Sequence, residues 1–396
     1  MPLGIYISVP FCRTKCSYCN FASDVFARVV LERYVDRVCQ DIDNAPQFAT
    51  AMGAEMERAV DSIYLGGGTP TVLDAEQLER IFATAKRQFV ISADAEITVE
   101  CAPGTLTDDM LGTLLRCGVN RLSLGVQSFV DQEAAAVGRL HKRETVLDDI
   151  ARLRAAGITN INVDLIAGLP HQSAESWDFS LIETIATGAT HMSVYMLEVD
   201  EDSRLGRELL AGGTRYHAHF VPEEEATADF YLAACERLRE AGIKQYEISN
   251  FARHGFESRH NLKYWTRRPY FGFGVDAHSM LLSVAEENDS VRFASPDSLE
   301  KYLSPTTKVQ PIDVSRRAAL EESFFLGLRL NWGANLRDLI VKFGAEDLEN
   351  ARSAIAELVE GGLMEEREDF VSLTPRGRLL SNEVFERFLL ADKVAH

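Results

Sequence analysis

Cys12, Cys16 and Cys19 stand at C-x-x-x-C-x-x-C spacing in the stretch PFCRTKCSYCNF. The thiolate, rather than the thiol, binds metal, and four cysteines are the common way to close a [4Fe-4S] cluster. Three thiols at this spacing would ligate three irons of a cubane and leave the fourth to an exchangeable partner, read here as S-adenosylmethionine. A zinc knuckle would need a fourth Cys or His close by to complete a tetrahedron. None lies in the stretch, since the first histidine is His141 and Phe21 stands two residues past Cys19. No histidine follows Cys19 directly, which removes a c-type haem attachment.

A second chemical feature is Gly66-Gly67-Gly68-Thr69-Pro70, which follows an apolar run ending at Leu65. Three glycines expose main-chain groups that a bulkier side chain would cover, so the loop can approach a ligand closely. The alternative is a tight strand-to-helix turn. A phosphate-binding P-loop is excluded because no Gly-Lys-Ser/Thr follows.

These residues need a scaffold, and the periodicity supplies one. Runs rich in Ile, Val, Leu or Tyr at 5–9, 62–65, 96–100, 121–126, 160–166 and 191–196 alternate with helical patterns. That alternation predicts an α/β fold of six strand-helix units with a parallel sheet. Asp74 is the expected N-cap of a helix over 74–89, where Leu78, Ile81, Phe82 and Ala85 recur at helical spacing. A helix over 107–116 should stop at Gly118, and the next two at Gly157 and Gly188. Barrel-like α/β folds place their chemistry at the strands' carboxyl ends, where the cysteine and glycine segments both fall.

Further along, a helix over 223–242 and a strand over 244–249 are expected, and residues 251–273, dense in aromatic and basic types, break the earlier rhythm. Residues 286–315, with Pro296, Pro305 and Pro311, read as a linker. Helices over 316–328, 336–362 and 375–390 around a short strand at 370–373 predict a small C-terminal α+β, winged-helix-like domain. The expected division is a barrel with an extension over 243–285 in residues 1–285, a linker over 286–315 and a small domain over 316–396.

With 60 acidic and 41 basic side chains, the net charge of −19 would repel a phosphate backbone and argues against nucleic acid as a partner. Cys39, Cys101, Cys117 and Cys235 lie scattered in apolar or helical patterns and read as structural thiols in a reducing compartment. Neither a secretory signal nor an apolar run of about 18 residues occurs, so a cytoplasmic chain is expected, with peripheral membrane contact left open.

Together the cysteine triplet and the GGGTP loop make about the first 280 residues resemble the radical S-adenosylmethionine superfamily. The resemblance implies a partial (β/α)6 TIM-like barrel that carries a [4Fe-4S] cluster and S-adenosylmethionine. It further implies that Gly67, Gly68 and Thr69 contact the methionine amino end, with Tyr6 and the peptide around Tyr18 near the adenine. Gln127 in LSLGVQS and Asp164 in NVDLIAGLP would face the ribose hydroxyls. Arg139 in VGRLH would pair with the methionine carboxylate, and Glu100 in ITVECAPGT would support the same end. In that family an electron delivered to the sulfonium gives methionine and a 5′-deoxyadenosyl radical.

YxxxPFC, GGGTP and GVQSF resemble the oxygen-independent coproporphyrinogen III oxidase-like branch. Two departures count against oxidative decarboxylation: Phe21 replaces a further cysteine, and the segment before the first strand is short. His260-Asn261-Leu262-Lys263-Tyr264-Trp265 instead resembles the H-N-x-x-Y-W motif of the branch's haem chaperones, as do GLRLNWG and LTPRGRLLSNEVF. That likeness implies haem as cargo at His260, Tyr264 and Trp265, and apo-haem acceptor proteins, including membrane-bound respiratory subunits, as partners. No residue receives a catalytic role, and a homodimer is left open. A neutral imidazole is a good axial ligand, although a histidine among aromatics is also an ordinary hydrogen-bonded core residue. His254 and His278 are the reserve ligands. The competing functions are the oxidase itself and a radical enzyme acting on RNA, which the charge disfavours.

Overall fold

The computed structural model describes residues 1–20 and 22–389, so Phe21 and the last residues of the expected C-terminal helix lie outside the described residues. Six parallel strands follow one another in space as in sequence: β1 (Leu3–Val9), β2 (Ala59–Gly67), β3 (Val90–Cys101), β4 (Arg121–Gln127), β5 (Asn160–Ala167) and β6 (His191–Met196). β1 and β6 do not pair with each other, so the barrel is open. Beyond β1 the sheet continues through a parallel strand, Tyr270–Phe273, and then the antiparallel His278–Ser283, Asn288–Ala294 and Ile312–Ser315. Beyond β6 lie the short antiparallel Asn250–Ala252 and Lys244–Gln245.

Strand alternation sorts the side chains by chemistry. In β1, β2, β4 and β5 the set Ile5, Ile7, Ile63, Leu65, Leu122, Leu124, Ile161 and Val163 belongs to the apolar core under the helices. Residues of the opposite parity are polar: Tyr6 is in register with Tyr64, Glu100 with Ser123, Ser123 with Asn162, and Asp164 with Ser193. They satisfy one another across the lumen, as where Asn162 Nδ2 donates to Asp164 Oδ1 at 2.7 Å and His191 bonds both Asn162 at 2.7 Å and Tyr246 at 2.9 Å. Such a lumen suits a polar occupant.

The helices follow their caps. Ala75–Gln88 begins at a capping box in which Asp74 and Gln77 satisfy each other's main-chain N–H groups. Asp108–Cys117 starts at Thr107 and stops at the left-handed Gly118.

Three expectations change. Residues 244–249 form no single strand but the pair Lys244–Gln245 and Asn250–Ala252. The segment 286–315 is largely sheet and helix, with Asn288–Ala294, Leu299–Leu303 and Ile312–Ser315; its prolines lie between these elements. The helices expected over 336–362 and 375–390 are each broken in two, the first at Gly344 into Leu336–Phe343 and Glu349–Glu360. The second becomes Pro375–Leu379 and Ser381–Glu386.

The C-terminal helices surround a three-stranded sheet of Ala334–Asn335, Phe370–Leu373 and Met364–Arg367, with its own apolar cluster around Phe324, Leu358 and Val371. Among the described residues no helix is long and apolar enough to cross a membrane.

Candidate functional site

The segment from Cys12 to Asp24 leaves the carboxyl end of β1 as a loop closed at its base. Cys12 N donates to Asp24 O and Asp24 N to Pro10 O, both at 3.0 Å. Its far side is pinned by Ser17 N to Val137 O at 3.1 Å, Leu205 N to Ser17 O at 2.8 Å, and the Arg204 guanidinium to Lys15 O at 3.2 Å. Cys12, Cys16 and Cys19 are free thiols. Burial first, then the neighbouring Cys19 and Cys16, push the Cys12 thiol up, while Ser23 and Thr69 oppose the rise.

The glycine loop lies beside this segment, with Thr69 N donating to Phe11 O at 2.8 Å and Thr69 Oγ1 facing Cys12 Sγ at 3.8 Å. A Cβ on Gly68 would meet Val9 O at 2.6 Å and Phe11 O at 2.8 Å, and Gly67 has φ +94°, so neither position accepts a side chain readily. Glu100 fixes the loop, accepting from Gly67 N at 3.2 Å and from the Tyr64 hydroxyl at 2.8 Å. Burial, joined by the charge of Asp164, pushes its carboxyl up to about 7 against the two hydrogen bonds.

Gln127 ends β4 in the left-handed region at φ 70°, beside a register shift, with Oε1 buried and unpartnered. Such a conformation in a non-glycine residue persists where the surrounding structure enforces it. Arg139 donates to the Tyr18 hydroxyl at 3.3 Å and keeps its Nε without a partner, and Asp164 also accepts from Ser123 at 3.2 Å. Burial raises the Asp164 carboxyl against these hydrogen bonds. One end of the barrel thus brings together the cysteine loop, Tyr6, Tyr18, the glycine loop, Glu100, Gln127, Arg139 and Asp164.

His260, Tyr264 and Trp265 lie on the short helix Arg259–Trp265, in the segment that runs from the strand beside β6 to the strand beside β1. His260 is 1% exposed, with Nδ1 against Ser62 Oγ at 3.1 Å and Nε2 against the Tyr264 hydroxyl at 2.9 Å. Burial, with the cations of Lys263 and Arg121, pushes the imidazole down to about 3, so it is neutral. Both ring nitrogens of His260 are thus engaged, by Ser62 and by Tyr264. Trp265 lies under the Arg329 guanidinium at 4.3 Å. Tyr264 reaches a cavity of about 310 Å³ that Tyr6, Gly67, Tyr270 and His278 also line.

Sequence reasoning missed Tyr64, Ser123 and Asn162, which hold Glu100 and Asp164 in place. Their signal was the two-residue alternation that sets them on the same strand face as the residues they serve. The segment around Arg204 and Leu205 carried no such signal, since its partner, the cysteine loop, is remote in sequence.

No ligand geometry is needed to test the fit. Three soft thiols share one loop, the glycine cradle has no room for a Cβ, and Gln127 and Arg139 carry buried unpartnered polar atoms. Among the described residues no three His, Cys, Asp or Glu side chains converge on a point that one ion could occupy.

The family described as the Radical SAM superfamily matches residues 6–181, and that described as the HemN C-terminal domain matches residues 314–380. The chain is 35% identical to the Heme chaperone HemW of Bacillus subtilis, over 97% of this chain and 98% of that one. To the Heme chaperone HemW of Escherichia coli it is 30% identical, over 98% of each. The solved coproporphyrinogen III oxidase (HemN) from Escherichia coli, a radical SAM enzyme, superposes with TM-score 0.81 at 24% identity, covering 98% of this chain and 90% of that one. That last likeness is one of fold.

Proposed function

The chain belongs to the heme chaperone HemW family, within the radical SAM superfamily, and from that premise we propose that it binds haem and hands it to apo-haem proteins, including respiratory ones. The observation that carries the proposal is the 35% identity to a heme chaperone over 97% of the chain. In this reading the Cys12, Cys16 and Cys19 thiolates hold three irons of a [4Fe-4S] cluster, and the main chain of Gly67, Gly68 and Thr69 takes the amino end of S-adenosylmethionine. When bound, these two groups supply one-electron reductive chemistry at a sulfonium. Glu100 keeps Gly67 in position from below. Arg139 offers a guanidinium to a carboxylate, and Gln127 and Asp164 offer acceptors to ribose hydroxyls. Tyr6 and Tyr18 flank the adenine.

The same reading treats the chain as a barrel unit and a C-terminal unit meeting near residue 315, which the two separate apolar clusters support. Cytoplasmic placement and a homodimer belong to the proposal as well.

The test is anaerobic reconstitution, titration with haemin, and mixing with an apo-haem protein. Stoichiometric uptake followed by appearance of the acceptor's holo spectrum is expected. Haemin that stays free, or never leaves the chain, contradicts the proposal.

A further inference from the structure

Two histidines that belong to neither the cysteine and glycine loops nor the His260 helix meet nitrogen to nitrogen. His171 lies in the loop after β5, and His217 stands just before the short helical turn Ala218–Phe220. His171 Nε2 is 3.0 Å from His217 Nδ1, with ring centroids 5.0 Å apart and planes at 66°. Phe220 backs the pair, its ring centroid 4.1 Å from that of His171.

Both histidines are held in the left-handed region, His171 at φ 70° and His217 at φ 61°. Few non-glycine residues adopt it, and they keep it where the surroundings enforce it. Here the main chain does so, with His171 N donating to Phe220 O at 3.0 Å and Phe220 N to His217 O at 2.9 Å. Glu208 shapes the turn from the other side, accepting from Arg215 N at 2.9 Å, Tyr216 N at 2.8 Å and Ala218 N at 3.2 Å. It belongs to the helix Arg204–Ala211, whose first residues brace the cysteine loop at Ser17 O and Lys15 O.

Two neutral imidazoles so placed share one proton, and a divalent ion can take its position. Nitrogens at right angles about 2.1 Å from one ion stand about 3.0 Å apart, which is the separation of this pair. The donor ring then keeps its proton on its other nitrogen, so both lone pairs face the ion. Burial, then the His217 and His219 imidazoles, push the His171 imidazole down against the charge of Glu133. That carboxylate is 1% exposed, its Oε1 has no partner, and Gln172, next to His171, donates to its Oε2 at 3.5 Å. A buried negative charge beside the pair favours a cation there.

We propose that His171 and His217 form a two-imidazole site for nickel(II) or copper(II), tying the loop after β5 to the segment that braces the cysteine loop. Among the described residues no third His, Cys, Asp or Glu joins them, so water completes the sphere and the ion exchanges with solvent. Imidazole and water at right angles suit these two ions. The assignment is independent of the haem-carrier reading.

The experiment uses the full chain reconstituted without oxygen, so that the three thiols are occupied, and titrates it with nickel(II) alone by calorimetry. Nickel K-edge absorption then reads the ligands. Wild type is compared with the double variant His171→Asn, His217→Asn and with His254→Asn, because asparagine accepts a left-handed backbone. One nickel per wild-type chain is expected, with imidazole scattering in a shell of nitrogen and oxygen. The double variant should bind at least about tenfold more weakly, equivalent to about 1.4 kcal/mol, and His254→Asn like wild type. Sulfur in the nickel shell, no nickel uptake by wild type, unchanged affinity in the double variant, or an equal loss in His254→Asn overturns the assignment. The wild-type absorption spectrum decides the ligand type even where the double variant folds poorly.

Discussion

Glu100 is the residue in which the site's electrostatics are most exposed to measurement. Its carboxyl is pushed up to about 7 from the ordinary 4.5, chiefly by burial. Between those values the folded chain holds a proton that the unfolded chain has lost, so this group makes stability fall as pH rises from about 4.5 to about 7. Glu100→Gln should remove that part of the slope in chemical denaturation of the metal-free chain. Identical pH dependence in the two proteins would contradict the account of Glu100. The residue-scale chemistry was partly legible: the thiol triplet and glycine loop announce themselves by spacing, and His260 by its motif. The Tyr264 contact of His260 lies one helical turn away and inside the motif, whereas its second partner, Ser62, is some two hundred positions away, which no local pattern reports.

At the scale of elements, the strand ends do the positioning. β1 and β2 bring the cysteine loop and glycine loop together because Ser8 is in register with Gly66 and Val9 with Gly67. The price of that closeness is a position without room: Gly68→Ala should cost about 1–3 kcal/mol by overpacking against Val9 and Phe11 and should abolish S-adenosylmethionine retention. Denaturation midpoints and equilibrium dialysis read the two effects, and neither changing would remove the cradle from the site. All six barrel strands were legible as apolar runs, and so were the helix starts at Asp74 and Thr107 and the stop at Gly118, whereas the helix Arg28–Asp43, which follows Ala27 with no side-chain cap, was not. The strands over 288–294 and 312–315 were not, because their proline-rich surroundings read as turns, although each pairs with the strand just before it in sequence. Residues 251–273 broke the βα rhythm for a reason visible only in space: they lead from the strand beside β6 to the strand beside β1, ending as Tyr270–Phe273.

At the scale of the whole molecule, the C-terminal helix Arg316–Gly327 is tied to the sheet extension by a buried charge network. Glu322 accepts from Arg267 at 2.9 Å and lies 3.1 Å from Arg292, while Asp289 pairs with Arg267 at 3.0 Å and Lys342 at 2.8 Å. Removing one partner strands the others, so Glu322→Ala should destabilise the chain by about 3 kcal/mol, read as a lowered denaturant midpoint. A midpoint shift near zero would mean the network is solvent-screened. Neither this tie nor the Arg329–Trp265 contact was legible in sequence, because charges scattered over 75 positions carry no periodicity. The account as a whole stands on three thiols that hold a sulfide-bridged centre rather than a single ion. Its most direct test is iron, sulfide and zinc content of the chain prepared without oxygen: about four irons and four sulfides per chain are predicted, falling to background when Cys12, Cys16 and Cys19 are replaced together by alanine. One zinc per chain with no acid-labile sulfide would contradict it.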